Sequence, residues 1–446
     1  MSEARTRRRT LLCAVGCLLV SACATPVDAS GDAAVRLDAH DAGEVIAPAV
    51  SARYWGASPA PHSGTVALAL DDRIAVVAEP DTDTVAVVYL VTQTPAREIA
   101  LGPRLSPAPE GRWQPAYAPR AVAVAPSRRA AFAACEQSGE VVSIALESPA
   151  IVRRERVCAG PVSVLVGAGE ASVLVSCAAD RAVLALDPVS LAVRATHTLS
   201  DEPSALALSN EGDRVYVTFP HIDRVAALDA VTLAMLDRGV IPSVARGWHR
   251  TLAHGVPRVA FDLAARPGSR ELWVAHILFA TDTAQPELDF ESTLFPAVAL
   301  LDGSALGGAP LRPTLSTDSR LAGVDGAFAR VISGPRAVAF LPDGRSALVV
   351  GRNSETLTVV DVERGVERQY VEDLPGAIPD GVAVSRDGAR AWVHSRHAGT
   401  LIPFAIDREG RVRIDGAPLS TRASDPMPAA LRAGQHVFYT ANDRYI

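Results

Sequence analysis

Lysine is absent from this 446-residue chain, and all 43 basic residues are arginine. That excludes Schiff-base catalysis and the lysine clamps of P-loop and kinase-type phosphate sites. No Cys-x-x-Cys pair occurs, so zinc sites of that kind and any haem attached covalently by this chain itself are excluded. There is no Gly-x-Ser-x-Gly elbow, and no serine stands in a distinctive nucleophile pattern. Aromatic residues make up only 5% of the chain, and alanine and valine fill its apolar positions, which suits narrow packing between sheets. The apolar run from Leu11 to Val20 is too short for a comfortable membrane span.

Charge and cysteine count narrow the setting further. Residues 1–22 hold four arginines and Glu3, so residues 23–446 carry 39 arginines against 49 acidic residues, a net charge of −10. Without a localised basic patch that balance rules against nucleic acid. Arg5, Arg7, Arg8 and Arg9 precede the apolar run, as in the positive region of an export signal. Val20-Ser21-Ala22-Cys23 closes the run and resembles a bacterial lipobox, which implies lipid on Cys23 and anchoring at the outer membrane of a Gram-negative cell, facing periplasm or surface. Residues 23–60, rich in Ala, Asp and Pro, read as a tether. Export makes disulfides feasible. Of the three cysteines left, Cys135, Cys158 and Cys177, Cys158 ends one blade and Cys177 ends the second strand of the next, so both reach one rim and form the candidate pair, against an alternative of three buried thiols.

The organising unit is best read at 335–362, PRAVAFLPDGRSALVVGRNSETLTVVDV. Short β-branched or apolar runs are separated by a Pro-Asp-Gly turn and a polar loop, and no 3.6-residue period fits them. Pro fixes φ at the first corner, and Gly344 accepts positive φ. The opening proline recurs at 119, 161, 203, 257, 335 and 379, and a seventh copy has Ser63 in its place. Blade 5 is longer by three residues, assigned here to Pro-Gly-Ser-Arg at 267–270. A repeat in the forties with about four strands predicts an all-β, seven-bladed propeller over 61–416.

Second strands align without gaps in six copies: 75–85, 131–141, 173–183, 215–225, 347–357 and 391–401. VYVT at 215–218, followed by RVAALDAVTLAML, resembles the YVTN-type repeat of bacterial surface and periplasmic propellers, although Phe219 stands where that repeat has asparagine. The resemblance implies the fold and is nearly silent on chemistry.

In a meandering blade the second-to-third-strand loops and the links between blades share one face, the top. Every long insertion belongs to these classes: 102–118, 240–256, 277–296 and 303–334. Loops on a rigid scaffold carry function, so the top face is the expected functional side. Arg120, Arg258, Arg336 and Asp380 each follow an inner-strand proline and are expected to ring the top mouth of the axial channel. Such a ring is either a cationic cup for carboxylates or a set of ion pairs holding blades together. Trp248, His249, His254 and His276 stand on or beside the blade 5 insertions with Asp282, Asp289 and Glu291, a set able to bind a metal but without motif spacing. Arg396 and His397 lie in the corresponding loop of blade 7, where His394 and His397 read as satisfied surface histidines.

After blade 7, residues 428–438 read as a short helix. Met-Pro-Ala-Ala-Leu-Arg-Ala-Gly and the run Gln435 to Asp443 resemble the entry to the cytochrome c domain that follows the propeller in certain YVTN-type proteins. The resemblance implies a c-type haem in a following domain or in a periplasmic redox partner, and none held by this chain. The expectation is a non-catalytic periplasmic scaffold serving such a domain, the alternative a ligand- or protein-binding propeller without a redox role.

Overall fold

The computed structural model of the chain describes residues 61–92, 94–103, 111–247, 252–280, 293–316 and 332–440. The strands form seven sheets, each a consecutive antiparallel meander, giving a seven-bladed β-propeller. Blades 1 to 7 span 66–100, 119–156, 161–198, 206–240, 256–316, 335–371 and 379–420.

The continuous apolar runs follow from the architecture. A middle strand is covered on both faces by neighbouring blades, so Ile74–Glu79 and Ser346–Gly351 are buried at every residue. Outer strands face solvent, and Ala150–Arg156 (AIVRRER) has no fully buried residue. The hydrophobic core is accordingly divided into seven seams between blades. Six hold 13 to 15 buried residues each, whereas the seam joining blade 7 to blade 1 holds eight, with Trp392 its one large aromatic side chain. At about 25 cal/mol per Å2 of apolar surface, the closing seam contributes the least hydrophobic stabilisation.

Among the described residues no strand is exchanged between the ends of the chain to close the ring, since each blade is built from consecutive strands. Closure is polar instead. Arg386 donates from its backbone N–H to Asp72 at 2.8 Å and from its guanidinium to Asp71 at 2.8 Å. The backbone N–H of Ala423 reaches Glu98 at 2.9 Å. Blade 7 also extends beyond residue 416: Val412–Ile414 and Leu419–Ser420 pair with opposite ends of its third strand, so the outer strand comes in two pieces.

The first described residues lie inside the axial channel. Ser63 donates to the Leu206 carbonyl at 2.7 Å, Leu208 donates to the Pro61 carbonyl at 3.0 Å, and Val122 donates to the Gly64 carbonyl at 2.9 Å. Pro61 is level with the end of blade 4's inner strand, on the bottom side, and the chain climbs from there before blade 1 descends. His62 is thereby set 3.7 Å from Asp262 of blade 5. Burial opposes a charge on His62, but the Asp262 carboxylate outweighs it and raises the imidazole pKa.

Candidate functional site

Blade 5 departs from its neighbours at the top. Its first three strands, Val256–Ala265, Glu271–Phe279 and Leu294–Asp302, are longer than the corresponding strands of the other blades. Residues 277–279 and 294–296, expected within the insertion, are paired strand. Arg312–Ser316, expected within the link to blade 6, is the blade's outer strand. The three extra residues of this copy are not in the bottom turn, which matches that of blade 6. They form a register shift between Arg258 and Asp262, with Val259 at φ 54° and its N–H held by the Pro220 carbonyl at 2.7 Å. A β-branched residue in the left-handed region is a marked departure from ordinary backbone.

That shift corrects the predicted ring of charges. Arg120, Arg336 and Asp380 do line the mouth, with Ser63, Gly64, Phe261 and Asp262. Arg258 does not: the extra residues carry it above the mouth, and Phe261 occupies the position equivalent to Arg336. The Arg258 guanidinium donates to the Pro257 carbonyl at 2.7 Å. The charges at the mouth are committed to one another. Arg336 donates to Asp380 at 2.8 Å, Arg352 donates to the same oxygen, and Arg120 pairs with Glu136 at 3.0 Å. Burial would raise the Asp380 pKa, but Arg352, Arg336 and Arg396 hold it far below the usual carboxylate range. The remaining cavity among the described residues is about 40 Å3, room for a few water molecules.

The densest polar assembly lies beside the mouth. It is made by the strap that follows blade 7, ending in helix α1 (Ala429–Tyr439). α1 lies across loops of blades 1, 6 and 7 with a polar face down: Arg432, Gln435, His436 and Tyr439, at i, i+3, i+4 and i+7. Arg432 donates to Asp81 at 2.8 Å and bidentately to Asp425 at 2.8 and 2.9 Å. Gln435 also donates to Asp81, at 2.8 Å, and His436 Nε2 lies 2.7 Å from Glu355. The Arg352 guanidinium sits 5.5 Å from the Tyr439 ring centroid. From below, Arg396 grips Asp81 with two nitrogens, one at 3.1 Å. Burial raises the Asp81 pKa, but Arg396, Gln435 and Arg432 together drive it well below the carboxylate range.

A second layer joins blade 7 to blade 1. His394 is fully buried, with Nε2 at 3.1 Å from Glu79 and Nδ1 at 3.0 Å from Thr65. It is therefore an interior link and not a surface histidine. Arg422 lies 3.6 Å from Glu79 and donates to Asp425 at 3.0 Å. Gly399 makes room for it: φ is 64°, and a Cβ there would stand 2.5 Å from the Arg422 Nε. His397 lies against His436, with ring centroids 4.9 Å apart, and its pKa is lowered to about 4 by burial, then by His436, Arg432 and Arg422.

The blade 5 histidines do not join this assembly. His254 is buried, with Nδ1 at 2.7 Å from the Leu252 carbonyl and its ring 5.1 Å from Phe295. His276 is fully buried, Nδ1 at 3.1 Å from the Val274 carbonyl, and its Nε2 has no partner among the described residues. Burial lowers its pKa to about 4. Trp248, His249, Asp282, Asp289 and Glu291 lie outside the described residues, as does Cys23. Among the described residues no three metal-ligating side chains converge. Cys158 and Cys177 are bonded, S–S 2.09 Å, and Cys135 is a buried free thiol.

No family model and no curated protein matches the chain. Solved structures similar to it include Kuenenia stuttgartiensis hydrazine synthase (TM-score 0.61, 14% identity), which aligns over 81% of this chain and 97% of that one. The β-propeller domain of Myceliophteria thermophila Cps50 (Swd1) aligns with TM-score 0.51 and 14% identity over 78% of this chain and 97% of that one. The dihydro-heme d1 dehydrogenase NirN, in complex with DHE, aligns with TM-score 0.50 and 11% identity, over 81% of this chain and 67% of that one. At these identities the likeness is one of fold.

Proposed function

We propose that this chain is a non-catalytic, exported propeller scaffold whose top face holds a c-type haem domain, either continuous with α1 or supplied by a periplasmic redox partner. The observation that carries this reading is the top face itself. The axial mouth is filled by paired charges and the chain leaves the propeller beside it, in a helix tied down by Asp81, Asp425 and Glu355. A rigid platform with a built-in exit suits positioning. The similarity to a structure named as a dihydro-heme d1 dehydrogenase agrees with a haem setting. Lipid on Cys23 would place the anchor on the tether that joins the propeller at the bottom of the channel, opposite α1.

The test uses the native gene product, with any coding sequence downstream of Ile446 included, purified from membranes. The 446-residue chain is expected to be colourless, and the native assembly to show a c-type haem absorption band and partition into detergent. A Cys23→Ser form should keep the haem association and lose the partitioning. An assembly without haem would leave only a binding propeller with no redox role, and a Cys23→Ser form that partitions like wild type would remove the lipid anchor.

A further inference from the structure

We infer that α1 is a proton-sensitive lid: docked on the top face at neutral pH, it is released on acidification through the stacked His397–His436 pair. This goes beyond the scaffold reading and does not depend on which partner the top face holds.

Two features of the docking carry the inference. The first is its inverted polarity. The residues of α1 that contact the propeller are Arg432, Gln435, His436 and Tyr439, with Leu431 and Phe438 half-buried beside them, whereas Ala430, Ala433 and Val437 are exposed. A helix held by apolar burial is indifferent to protons, but one held by ion pairs and imidazoles is not. The second is the environment of His397. It belongs to the blade 7 loop, and α1 and the strap supply the groups around it: His436 at 4.9 Å, Arg432, Arg422 and the Asp425 carboxylate. Arg396 adjoins it on its own loop, Glu355 of blade 6 holds His436, and Glu79 and Asp81 of blade 1 engage Arg422, Arg396 and Arg432. A proton on His397 thus meets three cationic or cation-forming neighbours and one carboxylate that Arg422 and Arg432 already engage. Its Nδ1 has no hydrogen-bond partner to gain from protonation among the described residues.

The sign follows from linkage. Docked, His397 has its pKa lowered from 6.5 to about 4. With α1 and the strap lifted away, the ring regains solvent and loses those cations, and its pKa returns toward the ordinary value. Docking is therefore fully favoured above pH 6.5 and weakens as pH falls toward 4, because only the undocked form takes up the proton. Asp81 does not share this titration, since its arginine partners keep it ionised throughout that range.

The experiment is hydrogen exchange on the full chain at pH 7.5 and pH 4.5, corrected for intrinsic exchange rates, comparing peptides covering 427–440 with peptides from the middle strands. Protection of α1 should fall at least tenfold at pH 4.5 while the middle strands keep theirs. In His397→Gln, which cannot titrate, α1 should stay protected at both pH values. His397→Asn serves the same purpose if the first variant fails to fold. Arg432→Ala should lose α1 protection at both pH values with the propeller intact. Equal α1 protection at the two pH values in wild type, or an undiminished pH effect in the His397 variants, would overturn the proposal. Loss of α1 and strand protection together would overturn it too, since that is global acid unfolding.

Discussion

His276 and His394 occupy adjacent levels at the top of the middle strands of blades 5 and 7, and their surroundings give them opposite roles. His394 bridges Glu79 and Thr65 across the closing seam, so each of its ring nitrogens has a partner. His276 has one carbonyl neighbour and an unpartnered Nε2 among the described residues. A buried polar atom without a partner costs about 1–3 kcal/mol, so replacing it with an apolar side chain of similar size is nearly neutral or stabilising. His276→Leu is expected to keep or raise the melting temperature at pH 7. Its advantage over wild type should grow as pH falls from 6.5 to 4, because unfolded wild type binds a proton that the native His276, with a pKa of about 4, refuses. Full development of that difference is worth about 3 kcal/mol. Thermal melts of both proteins at pH 7 and pH 4.5 decide it; a destabilised His276→Leu would mean that Nε2 serves a group outside the described residues.

At the scale of elements, the top-face insertions are held by named contacts wherever they lie among the described residues. The link between blades 4 and 5 is knitted in: Val244 and Gly255 exchange backbone hydrogen bonds, and Ile241 and Ala253 are buried. The link between blades 1 and 2 is tied by Asp83, which accepts from the backbone N–H groups of Ala116, Tyr117 and Ala118 at 2.7 to 3.0 Å. In blade 5, strand pairing runs out to Phe279 and Leu294, and 281–292 lie outside the described residues. Replacing 281–292 with a short glycine-serine turn should impair partner binding while shifting the melting temperature little, since loop length enters closure entropy only logarithmically. Replacing 245–252 should lower it by several degrees. Calorimetry with partner capture separates the two; unfolding on removal of 281–292 would make that loop a structural lid.

For the whole molecule, ring closure is the weak point and the strap is its remedy. The seam between blades 7 and 1 has about half the buried apolar residues of the others, and among the described residues no exchanged strand crosses it. The ion pairs of Arg386, Arg396, Arg422 and Arg432 with blade 1 and Asp425, with the His394 bridge, stand in that place. Those of Arg396, Arg422 and Arg432 are largely buried, and such pairs are costly to break because removing one side strands the other. Truncation after residue 416 removes Leu419–Ser420, Arg422 and α1, leaving Glu79 and Asp81 short of partners. It should lower the midpoint of denaturant unfolding markedly, whereas truncation after 428, which keeps Arg422, should lower it less. Equal midpoints for the two truncations would show that the strap before α1 contributes nothing to closure.

The blade is legible in the sequence alone. Strand order, the number of copies and the helix at 428–438 are local properties, written in β-branched runs, short polar turns and a repeated proline, and the structure has them; blade 5, with its longer strands and its outer strand at 312–316, is the exception. Arg120, Arg336 and Asp380 stand at the mouth for the same reason, because position within a blade fixes position in the ring. Pairings between distant parts of the chain belong to the tertiary structure. Asp81 and Arg432 are 351 residues apart, and His394 and Glu79 are 315 apart, so nothing in either local stretch marks them as partners. The displacement of Arg258 comes from a register shift inside one strand, invisible to an alignment that counts from prolines. The entry of residues 61–64 through the axial channel has no local signature either, since its pairing with the inner strands of blades 4 and 2 joins segments far apart in the chain. Short-range patterns set how each blade folds. How the seven blades close, and which charges end up buried together where they meet, is set by contacts between chain segments that only the closed ring brings within reach.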